Sequence, residues 1–543
     1  MIQKDIEEIK DLIEKYKHLS PFELKNKLIE MAKKTEKKGI YTFLNAGRGN
    51  PNWTASTPRQ AFFTLGQFAV EETKRIMEDG DLAGIPYCEG CGTRFDEYAH
   101  THQDAPGMDL LKKIIDYGVN EHGFERDRWV YELVDGIIGD HYPIPDRMLR
   151  CIEKVVYAYL IKEMSGHLPT EQIHDLYAVE GGTAAMCYIF DTLSANHLLN
   201  QGDEVALMVP IFTPYLEIPD LSRYAFDVTY IYASELNEEG RHDWQYPQRE
   251  LDKLKNQRIK ALFVVNPSNP PSVAIDEDTM CRLKEIIKND NPELMIITDD
   301  VYGTFADGFR SLMTEIPYNT IGVYSFSKYF GVTGWRLGVI AVAKNNLFDK
   351  LIKDLPEIAQ RELDHRYDTL SNEPEDITFI DRIVADSRQV ALNHTAGLST
   401  PQQVQMAIFS IFALLDQEER YKNQTKAICR RRLELLYKNL ELPLYVQAHT
   451  TAYYRQIDLL VWAKLKYGDE FVEFLKTNYA PEDLLFRLAR NYAVVLLNGN
   501  GFQGPDWSIR VSLANLPDEA YEKIGAAINE VFKEYVEAWK SER

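Results

Sequence analysis

Two apolar runs, Ile321–Tyr324 and Val339–Val342, flank the string Ser325-Phe326-Ser327-Lys328-Tyr329-Phe330-Gly331-Val332-Thr333-Gly334-Trp335-Arg336-Leu337-Gly338. A lysine placed directly after a buried strand is a poor solubilising charge. Desolvation and neighbouring cations favour the neutral amine, which is the form that attacks a carbonyl carbon. Ser325, Ser327 and Arg336 are donors suited to a bound dianion, and the glycines let the backbone approach it closely. A lone lysine here reads equally as a surface charge in a strand–turn–strand. The whole string is what points to covalent chemistry beside an anion.

Other reactive residue types fall at the ends of predicted strands. Leu176–Val179 runs into Glu180-Gly181-Gly182-Thr183, which opens an apolar helix. Glycines at such a turn expose N–H groups at the positive end of the helix, a phosphate seat. Leu294–Thr298 ends in Asp299-Asp300-Val301-Tyr302. A carboxylate at a strand's carboxyl end suits the crevice of a parallel sheet. Asp299 takes that part, and Asp300 reads as a helix cap. Glu204–Val209 precedes the aromatics Phe212 and Tyr215, either of which reads equally as core. Ala261–Val265 leads into Asn266-Pro267-Ser268-Asn269-Pro270-Pro271-Ser272. Gly47-Arg48-Gly49-Asn50-Pro51 makes a backbone loop able to lie on a ligand, and Arg510 stands in the strand-like run Ser508–Ala514.

In this order the motifs resemble those of the fold-type I pyridoxal-phosphate aminotransferases, whose lysine motif is S-x-(S/A)-K-x-x-(G/A)-x-x-G-x-R-x-G. The resemblance covers roughly 40–53 and 136–515. It implies an α/β protein: a large domain with a mostly parallel sheet plus a smaller α+β domain. The cofactor implied is pyridoxal 5′-phosphate, carried on Lys328. Its phosphate would be held by Gly181, Gly182, Thr183, Ser325, Ser327 and Arg336. Tyr142 would reach it from a neighbouring subunit, so the resemblance also implies a homo-oligomer of at least two copies. Phe212 would stack on the pyridine ring, with Tyr215 as second choice. Asp299 would pair with the ring nitrogen, and Asn269 and Tyr302 with the phenolic oxygen. Arg510 would clamp the substrate α-carboxylate, with Arg48 and Gly49 covering the ligand.

The sequence also departs from the family. Pro271 and Ser272 replace the usual Thr-Gly of the asparagine loop. Where an aspartate aminotransferase supplies an arginine for the distal carboxylate, Leu392-Asn393-His394-Thr395-Ala396 has none, leaving Thr395 near that place. Insertions near 78–130 and 344–390 lengthen the chain. Together these features resemble the aspartate 4-decarboxylase subgroup. They imply conversion of L-aspartate to L-alanine and CO2 with side aminotransferase activity. The alternative is a plain aminotransferase of dicarboxylic or aromatic amino acids.

Composition bounds the rest. The chain has 543 residues and a formal net charge of −22. That charge opposes nucleic acid or an anionic membrane as partner, and opposes the sensor domain of a transcription regulator. No run reaches membrane-spanning length. The start, Met1 to Glu8, mixes charges and lacks an apolar signal core, which reads as cytoplasmic. Six cysteines in so long a chain do not form a disulfide scaffold, and the lone Cys88-Glu89-Gly90-Cys91 does not indicate zinc. No metal is expected.

The positioning elements follow from periodicity. Residues 1–38 read as two helices, the second capped by Ser20 ahead of Pro21. Helices are expected over 61–77, 108–117, 145–164, 404–415 and 422–440, with loops around the glycines and cysteines of 78–107. The 344–388 insertion reads as mostly helical. Leu459–Val461 and Val494–Leu497 read as strands. The expected division is 1–54 for N-terminal helices and substrate loop, 55–415 for the large cofactor domain, and 416–543 for the rest of the small domain.

Overall fold

The computed structural model describes residues 2–37, 41–77, 82–390 and 392–543. Twelve strands run in chain order among them: β1 (Leu44–Asn45), β2 (His174–Val179), β3 (Glu204–Val209), β4 (Asp227–Tyr232), β5 (Ile259–Val265), β6 (Met295–Asp299), β7 (Thr320–Ser325), β8 (Gly338–Ala343), β9 (Tyr454–Asp458), β10 (Val494–Val495), β11 (Leu497–Asn498) and β12 (Ser508–Ser512).

A seven-stranded sheet has the order β2-β8-β7-β6-β5-β3-β4. Only β8 runs antiparallel to its neighbours. The strands β6, β7 and β8 are buried along their whole length. Continuous apolar runs such as Met295-Ile296-Ile297 are what a parallel sheet covered on both faces requires. The expectation of a mostly parallel α/β sheet is met. Its strand ends at Val179, Val265, Asp299 and Ser325 set the functional residues along one edge.

A smaller three-stranded sheet, β11-β12-β9, is antiparallel, and β1 pairs with β10 beside it. In β12, Arg510 lies opposite Gln456 of β9. The helix Arg420–Leu440 packs along the C-terminal helix Asp518–Glu542 behind this sheet.

Helices Ile2–Tyr16 and Pro21–Glu36 form the N-terminal pair, and Ser20 caps the second by accepting from Glu23 N. Residue 38 lies outside the described residues. The 344–388 insertion holds helices Leu347–Lys353, Glu357–Tyr367 and Phe379–Ser387, as expected.

Four expectations fail. Within the expected loops of 78–107 stands the helix Cys91–Thr101, the helix expected over 108–117 runs on as Met108–His122, and Arg126–Ile138 is a further helix. Gly90, Gly107, Gly123 and Gly139 flank these helices at positive φ. Leu459–Val461 is not a strand but the start of the helix Leu459–Tyr467. Asp458 accepts from the N–H groups of Leu460 and Val461 at 3.0 and 3.1 Å and turns the chain into it. The helix expected from residue 145 begins at Arg150. Asp300 caps nothing: it is buried between the hydroxyls of Thr298 and Ser311, and burial pushes its pKa up to about 7. Among the described residues no helix is long and apolar enough to cross a membrane.

Candidate active site

A cavity of about 330 Å³ opens where β5, β6 and β7 end. It is closed by the Gly47–Asn50 loop and by Tyr454 and Arg510 of the small sheet. Of the residues singled out in the sequence, Arg48, Gly49, Gly182, Thr183, Phe212, Asn269, Asp299, Tyr302, Ser325, Ser327, Lys328, Arg336 and Arg510 line it. Gly181 adjoins it as the turn before the helix Gly182–Ala195.

One end of the cavity gathers donors. The helix N-terminus at Gly182–Thr183 faces the hydroxyls of Ser325 and Ser327, which lie 3.0 Å apart and are both buried. The Arg336 guanidinium donates to the carbonyls of Thr333 (2.9 Å) and Glu180 (3.2 Å). A Cβ at Gly181, whose φ is +90°, would stand 2.5 Å from Arg336 Nη2, so glycine is what lets the guanidinium lie over the turn. No carboxylate lines this end. Its donor set fits a phosphate dianion.

Asp299 ends β6 and is, among the described residues, the one carboxylate lining the cavity. It accepts from Tyr215 Oη at 2.5 Å and from Val301 N at 3.2 Å. Burial raises its pKa, while those two hydrogen bonds and the Lys328 ammonium pull it back down. A buried carboxylate so stabilised fits a protonated ring nitrogen. Lys328 follows β7, and its Nζ donates to Gly49 O at 3.2 Å.

Arg510 is 2% exposed. Nη1 donates to Asn269 Oδ1 (3.1 Å), Nη2 to Gly47 O (2.9 Å), and Nε has no partner among the described residues. Its plane lies over the Tyr454 ring, 4.4 Å from the centroid. Burial lowers its pKa, as for any cation without a counter-charge. A buried guanidinium served by neutral oxygens alone and keeping an orphaned N–H is a seat for a ligand carboxylate.

The Gly47–Gly49 loop therefore offers its two glycine carbonyls to Arg510 and Lys328, and the exposed Arg48 between them also lines the cavity. A Cβ at Gly49 would meet Tyr454 Oη at 2.4 Å and Lys328 Nζ at 3.4 Å. Glycine is required for so close an approach.

The model matching this chain describes aminotransferases of classes I and II and spans residues 174–528. The chain belongs to that family. Its members depend on pyridoxal 5′-phosphate, and the donor cup, Asp299 and Lys328 fit that cofactor's phosphate, ring nitrogen and carbonyl carbon. A bifunctional aspartate aminotransferase and L-aspartate β-decarboxylase from a Pseudomonas species is 47% identical over 527 residues, 96% of this chain and 98% of that protein. An aspartate aminotransferase from Sulfolobus acidocaldarius is 30% identical over 165 residues, 30% of this chain and 38% of its own. Among solved structures, a Thermus thermophilus aspartate aminotransferase superposes with TM-score 0.56 at 16% identity, covering 94% of this chain and 97% of its own. An aromatic aminotransferase from Pyrococcus horikoshii gives 0.54 at 17%, with 92% and 98% covered. These two carry the fold alone.

Two residues named from sequence are not brought to this cavity by their own chain. Tyr142 is 65% exposed and packs edge-on to His394. Thr395 is exposed, with its hydroxyl on Leu392 O and its carbonyl on Arg388. Cys88 is exposed and Cys91 buried, and burial pushes the Cys91 thiol up to about 12.

Tyr215, the second choice for stacking, also lines the cavity and donates to Asp299. Three further residues of the cavity were missed. Tyr454 Oη lies 2.9 Å from Tyr302 Oη. Phe22 and Lys25, one turn into the helix Pro21–Glu36, also line the wall, with Phe22 edge-on to Phe212. Burial and the charges of Arg510 and Arg48 lower the Lys25 pKa. The helix periodicity of 21–36 located Leu24 and Leu28 on the packed face. Nothing in it marks Lys25, whose cavity side depends on a tertiary contact.

Proposed function

We propose that this protein converts L-aspartate to L-alanine and CO2, and also passes the aspartate amino group to an oxo acid. The observation that carries the reading is the 47% identity, along nearly the whole of both chains, to an enzyme named for these two activities. The geometry supports it with two cationic seats in one cavity. Arg510 takes the α-carboxylate, and Arg48 with Lys25 takes the distal one.

Pyridoxal phosphate, held by Lys328 and the donor cup, supplies the electron sink when bound. Asp299, whose carboxylate Tyr215 holds, would keep a proton on the cofactor's ring nitrogen. Phe212 would lie against its ring, while Asn269 and Tyr302 would serve its phenolic oxygen. Lys328 Nζ, located by the Gly49 carbonyl, takes the proton from the substrate Cα as general base. Arg48 and Lys25 are two flexible side chains and hold the distal carboxylate without locking it in one plane. A carboxylate so held would be free to rotate about its bond to Cβ and to leave as CO2. The bonding pair stays with the substrate and a proton arrives at Cβ. Aspartate plus one proton thus gives alanine plus CO2. When the distal carboxylate stays in place, the same residues complete amino transfer.

The working unit is an oligomer of at least two copies. Tyr142 and Ile144, 65% and 70% exposed, lie on the segment that would reach a partner's phosphate. Incubation of the purified protein with L-aspartate, with and without an oxo acid, tests the function. Alanine and CO2 are expected in both, with oxaloacetate rising when the oxo acid is present. Oxaloacetate without alanine would leave a plain aminotransferase.

A further inference from the structure

A second cavity, of about 360 Å³, is lined by β9 beyond Tyr454. One wall is the segment following β4, which carries Arg241, His242 and Trp244. The other is the end of β9 with the helix Leu459–Tyr467, which adds Val461, Trp462 and Lys466. His242 and Trp244 stack at 4.2 Å between centroids, giving a flat aromatic surface. His242 Nε2 is 2.9 Å from Asp458 Oδ2. Two buried N atoms in these walls, His242 Nδ1 and Trp462 Nε1, have no partner among the described residues. A walled, mostly apolar cavity with a few convergent polar groups is the usual form of a small-molecule site.

The charges define what it takes. Arg455 is a buried residue of the lining, and among the described residues its guanidinium is met only by neutral oxygens, of Tyr437 (2.7 Å), Gln447 (2.5 Å) and Tyr445 (3.0 Å). Arg241 lies over the Tyr445 ring at 5.0 Å. Among the described residues neither makes an ion pair. Lys466 shares Glu441 at 3.5 Å, and Asp458 is engaged by His242 and by the helix N–H groups. Flat aromatic walls with two uncompensated guanidinium groups select a planar aromatic acid.

We propose that this cavity binds an aromatic carboxylate, with its ring against Trp244 and Trp462 and its carboxylate on Arg241. The strand β9 ties the cavity to catalysis. Tyr454 lines the active site, and the next four residues, Arg455 to Asp458, line the second cavity. Tyr454 lies against both Tyr302 and Arg510. Occupancy that shifts β9 therefore shifts the α-carboxylate seat and changes the KM for aspartate. This coupling rests on the proposed substrate, whereas the binding itself does not.

The test is calorimetric titration of the holoenzyme with indole-3-acetate, and with indole-3-acetamide as the uncharged control. The acid is expected to bind and the amide to bind at least roughly tenfold more weakly, the value of one charge-assisted contact. Arg241→Gln should weaken the acid by a similar factor, and Val461→Trp, which fills the cavity, should abolish its binding. Both variants should keep their turnover without the probe. Saturating succinate should leave the binding in place. No heat with the wild type, binding unchanged in both variants, or displacement by succinate would overturn the site. Binding with no change in the KM for aspartate would overturn the coupling.

Discussion

The Tyr215 hydroxyl donates to Asp299 Oδ2 at 2.5 Å, and both groups are buried beneath the cavity floor. The bond favours the ionised carboxylate, because a hydrogen bond to the charged form stabilises it against desolvation. Tyr215 itself is driven well above its ordinary pKa by burial and by Asp299, so it stays a donor throughout the working range.

Tyr215→Phe removes that donor and leaves Asp299 buried. The Asp299 pKa, already raised, rises further. The ionised fraction then falls at a higher pH, so the acidic limb of the kcat profile moves toward neutrality. Turnover at neutral pH should drop about tenfold or less, in keeping with one hydrogen bond to a charged group. An acidic limb in the wild-type position would show that Tyr215 only packs.

Arg510→Ala should act mainly on substrate binding. A charge-assisted bond is worth about 1.5–3 kcal/mol, so the KM for aspartate should rise at least roughly tenfold. Arg510→Lys keeps the charge but not the fork, and should recover only part of the loss. Steady-state kinetics on both variants separates KM from kcat. An unchanged KM in the alanine variant would remove Arg510 from the carboxylate seat.

Arg48→Ala should change which product forms. With the distal carboxylate less well steered, CO2 release should slow more than α-proton exchange, and the ratio of alanine to oxaloacetate should fall. Lys25→Ala should push the ratio the same way, since its charge lies against Arg48 and Arg510. Product analysis with α-deuterium washout reads both steps at once. Equal losses in washout and CO2 release would mean these cations merely bind substrate.

The parts of the site that were legible in the sequence are those built from contiguous residues. The Ser325–Gly338 string, Gly181–Thr183 and Asp299 each follow a strand whose apolar run is itself visible, so local order fixed their place. Tyr454 and Lys25 were not legible, because each reaches the cavity through packing between distant segments. Lys25 comes from a helix whose sequence neighbours Leu24 and Leu28 explain its amphipathic pattern fully. Leu459–Val461 was misread because three apolar residues suit either a strand or a buried helix turn, and only the Asp458 cap decides between them. Over 78–107, glycines read as loop formers serve instead as helix ends, Gly90 ahead of Cys91–Thr101 and Gly107 ahead of Met108–His122.

The most direct test of the central claim uses L-[4-13C]aspartate with the purified holoenzyme and no added oxo acid. Labelled CO2 and unlabelled alanine should appear together in equal amounts, with the alanine methyl group carrying a proton from solvent. Label retained in a four-carbon oxo acid, with no alanine, would contradict β-decarboxylation and leave this cavity to amino transfer alone.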